Sequence, residues 1–210
     1  MERQALELPQ DSRAGVVIGV ELYRIPLLDR PEFASFLSEE ERARMARFRF
    51  SEDRRRYLAA HGALREILAR HTGIDPGALR FSEGEHGKPA LIGSDIKFNL
   101  SHSGEMALIA IGVARDREVG VDIEKIRADI DVLAIAQRFF TAEEAARLES
   151  LEQSERTKLF FTLWTRKEAL SKARGIPLAE GLADAFVEGY CVEDVDVGED
   201  YAAAAASATP

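Results

Sequence analysis

Apolar and polar positions alternate along this 210-residue chain with two periods, one typical of strands and the other typical of helices. Segments rich in β-branched and aromatic residues predict strands at 15–25, 78–81, 96–104, 106–113, 117–124, 185–197 and 201–207. Charged segments with apolar residues at helical spacing predict helices at 38–50, 52–71 and 130–175, the last with a break near 139–144. Strands and helices therefore come in clusters, which favours an α+β fold over a doubly wound sheet.

Local signals indicate where several helices begin and end. Ser38, with Glu41 three residues later, predicts a helix start with a capping box, and Thr141 is a second N-cap. Gly175 ends the last helix, with a proline shortly after it. The alanine run at 201–207 favours a helix by propensity alone, but the turn-like sequence before it favours a strand. No internal sequence repeat is evident.

The composition is that of an ordinary globular protein, with 46% hydrophobic and 31% charged residues. The net charge of −9 argues against a general attraction to nucleic acid or to an anionic membrane, and we expect neither partner. Cys191 is the single cysteine, which excludes an intramolecular disulfide. We find neither a signal-peptide pattern nor an apolar run long enough to span a bilayer. These features predict a cytoplasmic protein.

The segment VGVDIE, residues 119–124, places two carboxylates on one face of a predicted strand. Because side chains alternate along a strand, Asp122 and Glu124 point one way while Ile123 points toward the core. Such oxygen ligands suit Mg²⁺ or Mn²⁺, although acids are also common on a solvated strand face. Two like charges side by side repel unless a cation lies between them.

The predicted helix at 160–175 carries a glutamate and a lysine four residues apart, on a face that also holds aromatic side chains. Phe161, Glu168 and Lys172 fall in one sector of this helix, with Trp164 beside them. A Glu–Lys pair at this spacing stabilises an exposed helix. Since surface pairs do not usually lie beside Phe and Trp, Glu168 and Lys172 are also candidate functional residues.

Cationic and hydrogen-bonding residues occur in three further segments. Seven arginines and two acids between 42 and 56 give this segment a charge of +5, although most of these arginines fit a solvated helix face. Lys88 lies in the restricted loop HGKPA, and His102 follows Ser101 at the end of a predicted strand. Such a histidine can donate to a phosphate or to a ribose hydroxyl, although local hydrogen bonding is its commoner role. Together with the acids, these residues describe a site for a polyphosphate and a divalent cation.

The motifs GKP, FNLSHSG, VGVDIE, FFTAEE and LWTRKEALSKARG occur in the order and at about the spacing of 4'-phosphopantetheinyl transferases. Between about residues 16 and 180 the chain resembles the surfactin-type group of this family. The resemblance implies a monomer of two similar α+β halves related by pseudo-twofold symmetry, here 1–114 and 115–210, with the active site in the cleft between them. The chain departs from the family pattern beyond Pro177, where it is shorter, and at Glu41, where some members carry a cation.

The resemblance also implies the activity, which is transfer of 4'-phosphopantetheine from coenzyme A to a serine hydroxyl of an apo acyl or peptidyl carrier protein, with release of adenosine 3',5'-bisphosphate. It implies that Asp122, Glu124 and Glu168 bind Mg²⁺ and that Lys172 contacts the reacting diphosphate. The implied coenzyme A contacts are Arg44, Arg56, Lys88, Pro89, Ser101 and His102, with His102 near the 3'-phosphate. The general base is either Glu168 or a metal-bound water, and Lys172 either stabilises or protonates the leaving group.

Two other functions are compatible with a cluster of acids and cations. One is a metal-dependent hydrolase that cleaves the pyrophosphate of nucleotides, because the same groups would serve that reaction. The other is a non-catalytic domain that binds coenzyme A. Turnover with a carrier protein separates both from the transferase.

Overall fold

The structure is a computed structural model, and it describes residues 13–17, 19–84, 86–113, 117–177 and 187–209. The strands are β1 Arg13–Val17, β2 Val20–Pro26, β3 Phe81–Glu83, β4 Pro89–Leu91, β5 Phe98–Ser103, β6 Met106–Gly112, β7 Val119–Lys125, β8 Tyr190–Asp194 and β9 Tyr201–Ala208. The α-helices are α1 Glu39–Ala46, α2 Ser51–Thr72, α3 Val132–Phe139, α4 Ala142–Glu149 and α5 Gln153–Arg174. This combination of helices and antiparallel sheets confirms the predicted α+β class.

The capping signals were correct, whereas two predicted elements are subdivided. Ser38 and Glu41 form the expected capping box at the start of α1, and Thr141 caps α4 in the same way. The predicted strand at 15–25 is a hairpin of β1 and β2, because Gly19 turns the chain with a φ of 75°. The helical region 130–175 breaks twice and gives α3, α4 and α5. The predicted strand at 185–197 lies partly outside the described residues.

Two antiparallel sheets pack against each other, and each carries a long helix on its outer face. The first sheet has the strand order β1-β2-β6-β5, and the second has the order β7-β9-β8. Buried aliphatic residues of β2 and β6 meet those of β7 and β9 between the sheets. Helix α2 covers the other face of the first sheet, and α5 covers the other face of the second. Among the described helices, none is long and apolar enough to cross a membrane.

The described residues repeat one order of elements twice. A strand is followed by helices that end in one of 22 residues, and later by two antiparallel strands, as β2, α1–α2, β5–β6 and as β7, α3–α5, β8–β9. The first series also has the hairpin of β3 and β4 between α2 and β5. Both long helices end at a left-handed glycine, Gly73 and Gly175. The segments that lead to these glycines, REILARHTG at 65–73 and KEALSKARG at 167–175, are similar. Because the similarity is short, the sequence showed no internal repeat, and the expectation of two similar halves came only from the family resemblance.

The alanine run forms the central strand of the second sheet, β9, as the turn before it indicated. Ala204 and Ala206 pack against α5, whereas Ala203 and Ala205 face the core between the sheets. All four are at most 4% exposed. Because alanine is small, a helix and a second sheet can both approach this strand closely, and this packing overrides the helical propensity of alanine.

Candidate active site

Helix α5 lies directly on strand β7 because Gly120 has no side chain. A Cβ atom at Gly120 would lie 2.1 Å from the carbonyl oxygen of Ala169 and 2.3 Å from the backbone nitrogen of Ala173. Residues at alternate positions of the strand share this face, and residues one turn apart share a helix face. The crossing therefore brings the predicted acids of β7 beside the predicted glutamate and lysine of α5.

Asp122 is the most buried acid at this crossing, with 3% of its surface exposed. Its Oδ1 accepts hydrogen bonds from Ser101 Oγ at 2.7 Å and from Lys172 Nζ at 2.6 Å. Lys172 Nζ also lies 3.2 Å from Ser101 Oγ. The other carboxylate oxygen, Oδ2, is buried and has no hydrogen-bonding partner among the described residues. Asp122 thus has one oxygen engaged and one that could bind a ligand.

Glu124 and Glu168 complete a group of three acids that are coupled electrostatically. Burial raises the pKa of Glu124. The hydrogen bond from Ser103 lowers this pKa, and the charge of Asp122 raises it. Burial also raises the pKa of Glu168, and Asp122 and Glu124 add to this effect against the opposing charge of Lys172. When all three acids are ionised, their charges outnumber those of Lys172 and Arg127, the two cations that act on them, so a further cation would be stabilised here.

The donor set fits a hard divalent cation, although the side chains are not arranged as a complete metal centre. Within the described ranges, no three His, Cys, Asp or Glu side chains are placed to hold a metal ion together. The ammonium of Lys172 instead occupies Oδ1 of Asp122. However, carboxylate oxygens are the ligands that Mg²⁺ prefers, and Asp122 Oδ2 is unpartnered in the part of the chain that is described.

The edge strands β5 and β7 of the two sheets are joined by side chains. Three polar side chains of β5, spaced two residues apart, accept hydrogen bonds from backbone N–H groups of β7. They are Asn99 from Val121 N at 2.9 Å, Ser101 from Ile123 N at 3.4 Å, and Ser103 from Lys125 N at 3.1 Å. Ser103 Oγ also donates to Glu124 Oε2 at 2.8 Å. Sequence reasoning missed Ser103, although it continues the alternation of Asn99 and Ser101.

His102 points to the opposite side of β5, toward α2 and its basic residues. Partial burial lowers the pKa of His102, and the nearby His61, Lys172 and Arg56 lower it further. Arg56 donates to Glu105 Oε1 at 2.5 and 2.9 Å, and Glu105 is a contact that the sequence did not predict. Because Arg56 is paired with Glu105 and the pKa of His102 is lowered, a phosphate would have to replace Glu105 as the partner of Arg56.

Lys88 joins the hairpin of β3 and β4 to the other sheet. Its Nζ donates to Glu118 Oε2 at 2.6 Å, to the carbonyl oxygen of Ala173 at 2.8 Å and to that of Val119 at 3.1 Å. Pro89 follows as the first residue of β4. Arg44 is exposed in the last turn of α1. The predicted coenzyme A contacts of these residues stay predictions.

The fold and the site define an α+β protein with a cluster of acids and a lysine where a strand and a helix cross, with His102 and Arg56 nearby. Residues 118–194 match the family model described as the 4'-phosphopantetheinyl transferase superfamily. Residues 30–113 match the model described as 4'-phosphopantetheinyl transferase, N-terminal.

Two relatives are similar over most of the chain. The 4'-phosphopantetheinyl transferase HetI of Nostoc sp. is 42% identical over 170 residues, which cover 77% of this chain and 70% of the relative. The 4'-phosphopantetheinyl transferase Sfp of Bacillus subtilis is 35% identical over 156 residues, which cover 70% of this chain and 67% of the relative. The chain therefore belongs to the 4'-phosphopantetheinyl transferase family.

Proposed function

We propose that the chain transfers the 4'-phosphopantetheine group of coenzyme A to a serine hydroxyl of an apo acyl or peptidyl carrier protein and releases adenosine 3',5'-bisphosphate. The crossing of β7 and α5 supports this function, because it brings Asp122, Glu168 and Lys172 together, with His102 close enough for the charge of Lys172 to act on it. We further propose that residues 1–114 and 115–210 are two related halves of a monomer with the site between them.

Asp122, Glu124 and Glu168 would hold Mg²⁺, with Mn²⁺ as a substitute. When bound, the ion would neutralise negative charge on the diphosphate and on the departing bisphosphate. The unpartnered Asp122 Oδ2 supports this assignment. The pKa values of both glutamates also support it, since burial raises them and the charge of Asp122 raises them further. The three carboxylates supply oxygen ligands, which are the type that a hard cation such as Mg²⁺ binds.

Lys172 and Glu168 would act on the two ends of the transfer. The ammonium of Lys172 is held at the acids by Asp122 and Ser101, and from this position it would stabilise charge on the leaving phosphate. Glu168 would accept the proton of the carrier serine as that oxygen attacks phosphorus. The closeness of Glu168 to Asp122 and Lys172, whose charges act on it, supports this role.

The remaining assignments concern the binding of coenzyme A. His102, Arg56 and Arg44 would bind phosphate groups, since arginine and histidine donate to phosphate and the charge of Arg56 acts on His102. Ser101, Lys88 and Pro89 would line the path between these phosphate contacts and the acids. The carrier protein would approach the same site.

The test is to incubate the chain with coenzyme A, Mg²⁺ and several apo carrier proteins, and then to measure the mass of each carrier. We expect a phosphopantetheine adduct on at least one carrier. Lys172→Met should lower kcat by about 100-fold or more, the loss typical of one transition-state donor. Lys158→Met, at an exposed position of the same helix, should leave kcat unchanged.

The other outcomes identify the other functions. Release of nucleotide without a carrier would indicate a pyrophosphate hydrolase. Binding of coenzyme A without turnover on any carrier would indicate a non-catalytic domain. Either result would overturn the proposed transfer.

A further inference from the structure

The hydroxyl groups of Ser101 and Ser103 each make two hydrogen bonds across the seam between β5 and β7. Ser103 Oγ accepts from Lys125 N at 3.1 Å and donates to Glu124 Oε2 at 2.8 Å. Ser101 Oγ has the same arrangement, since Ile123 N donates to it and it donates to Asp122. Each serine therefore connects a backbone N–H of β7 to the carboxylate of the residue that precedes it.

Asn99 occupies the same row but does not have the second contact. Its Oδ1 accepts from Val121 N at 2.9 Å, and the residue of β7 that precedes Val121 is Gly120, which has no side chain. Asn99 therefore contributes to the seam alone, whereas the two serines contribute to the seam and to the acids. This difference separates a structural role from a role in orienting the carboxylates.

We propose that Ser103 is a positioning residue that orients Glu124 for binding the divalent cation. This inference rests on the proposed function and assigns a role to a residue outside the predicted metal ligands and coenzyme A contacts. A glutamate side chain has several rotamers, and Glu124 is only partly buried. A fixed hydroxyl that donates to Oε2 selects one of them and leaves the other oxygen, Oε1, for the cation.

The hydroxyl suits this role because it donates and accepts at the same time. Ser103 Oγ accepts the backbone N–H of Lys125 with one lone pair, and the hydroxyl proton of Ser103 is donated to the carboxylate of Glu124. Partners of this kind, one step removed from the metal, fix the direction of the ligands that they contact. Ser101 is less suitable for a test, since it is also a predicted coenzyme A contact and contacts Lys172.

The test compares Ser103→Thr with Ser103→Val, which have nearly the same shape and differ in the hydroxyl. Binding of Mn²⁺ is measured by electron paramagnetic resonance in the presence of coenzyme A and without a carrier, so that no turnover is needed. We expect Ser103→Val to weaken Mn²⁺ binding by about 10- to 100-fold, the effect typical of losing such a partner. Ser103→Thr should restore it to within about threefold. If Ser103→Val does not fold, Ser103→Ala replaces it.

Asn99→Ala is the matched control, because it removes a hydrogen bond of the seam without touching an acid. It should lower the melting temperature but change Mn²⁺ affinity by less than about twofold, well below the effect expected at Ser103. Equal weakening by Asn99→Ala and Ser103→Val would mean that a loosened seam is the cause, and would overturn the inference.

Failure of the inference and failure of the proposed function give different results. A wild-type chain that transfers phosphopantetheine, with Mn²⁺ binding unaffected in Ser103→Val, would refute the role of Ser103 only. A wild-type chain that binds no Mn²⁺ and shows no transfer would refute both.

Discussion

Replacing Gly120 with alanine should separate the helix and the strand that carry the site. The added Cβ would meet backbone atoms of α5, the carbonyl oxygen of Ala169 at 2.1 Å and the nitrogen of Ala173 at 2.3 Å. Backbone atoms within a helix cannot rotate away as the end of a flexible side chain can. Relief of the overlap therefore requires the whole helix to move relative to β7.

The size of the movement follows from these distances. The contact of 2.1 Å is about 1.3 Å shorter than the 3.4 Å at which ordinary Cβ contacts begin, so α5 must shift by about 1 Å. Overpacking of this kind costs about 1–3 kcal/mol of unfolding free energy. A misplacement of about 1 Å at reacting groups can reduce the rate by about 100-fold. Glu168 and Lys172 would both move away from Asp122, so we expect a loss of activity larger than the loss of stability suggests.

The assay combines urea unfolding with transfer of phosphopantetheine to an apo carrier. Gly62→Ala is the matched control, because its Cβ would lie 2.4 Å from the side chain of Phe33, on α2 and away from the acids. Gly62→Ala should lower stability but keep kcat within about threefold, since α5 does not move. If Gly120→Ala retains wild-type stability and kcat, or if both variants lose activity equally, the close crossing does not position the site.

Three further predictions concern other contacts. Lys88→Met should lower the free energy of unfolding by about 1–3 kcal/mol in urea titrations, because two carbonyl acceptors and Glu118 lose a donor. Lys97 is a more exposed partner of Glu118, so Lys97→Met should lower the free energy of unfolding by about 1 kcal/mol or less. Burial opposes ionisation of Glu41, but its hydrogen bonds and the charge of Arg65 lower its pKa below 4.5. The ionised carboxylate therefore stabilises the fold at neutral pH, and this contribution is lost as pH falls through the lowered pKa. Glu41→Gln should cost about 2 kcal/mol of unfolding free energy at pH 7, and the difference from wild type should disappear in acid unfolding. Treatment with EDTA should abolish transfer, and added Mg²⁺ or Mn²⁺ should restore it; full activity after exhaustive chelation would refute a required metal.

The sequence predicted the elements of the site better than their connections. Alternation along 119–124 correctly separated Asp122 and Glu124 from Ile123, which is fully buried between the sheets. Helical spacing correctly brought Glu168 and Lys172 to one side of a mostly buried helix. Both results depend on local geometry, which fixes side-chain directions within one element.

Contacts between distant elements could not be read in the same way. Lys88 was predicted from its loop as a ligand contact, and its ammonium is bound by acceptors 30 to 85 residues away. Glu105 was not predicted, although it accepts from Arg56, 49 residues earlier. The acid at position 41 is explained by its partner, since Arg65 Nε donates to Glu41 Oε2 at 2.7 Å and Arg65 is only 1% exposed. Such partners are determined by packing of the sheets and helices, which no short motif encodes.

The two long helices show why the motif of α5 is not sufficient by itself. Glu66 and Arg70 of α2 have the same spacing as Glu168 and Lys172, at the same distance before the terminal glycine. In α2 they form a helix pair, with Arg70 Nη2 2.6 Å from Glu66 Oε1. In α5 the lysine contacts Asp122 instead.

The difference lies in the strand beneath each helix. The strand β7 presents Gly120, which admits the helix, and two carboxylates that attract the lysine and repel Glu168. On β2 the helix-facing residues are Glu21 and Tyr23, and both contact His71 of α2, with Glu21 Oε2 at 3.3 Å and the phenol oxygen at 3.2 Å from His71 Nε2. The same helical spacing therefore gives a stabilising pair over one strand and a candidate active site over the other, so the helix and its strand must be interpreted together.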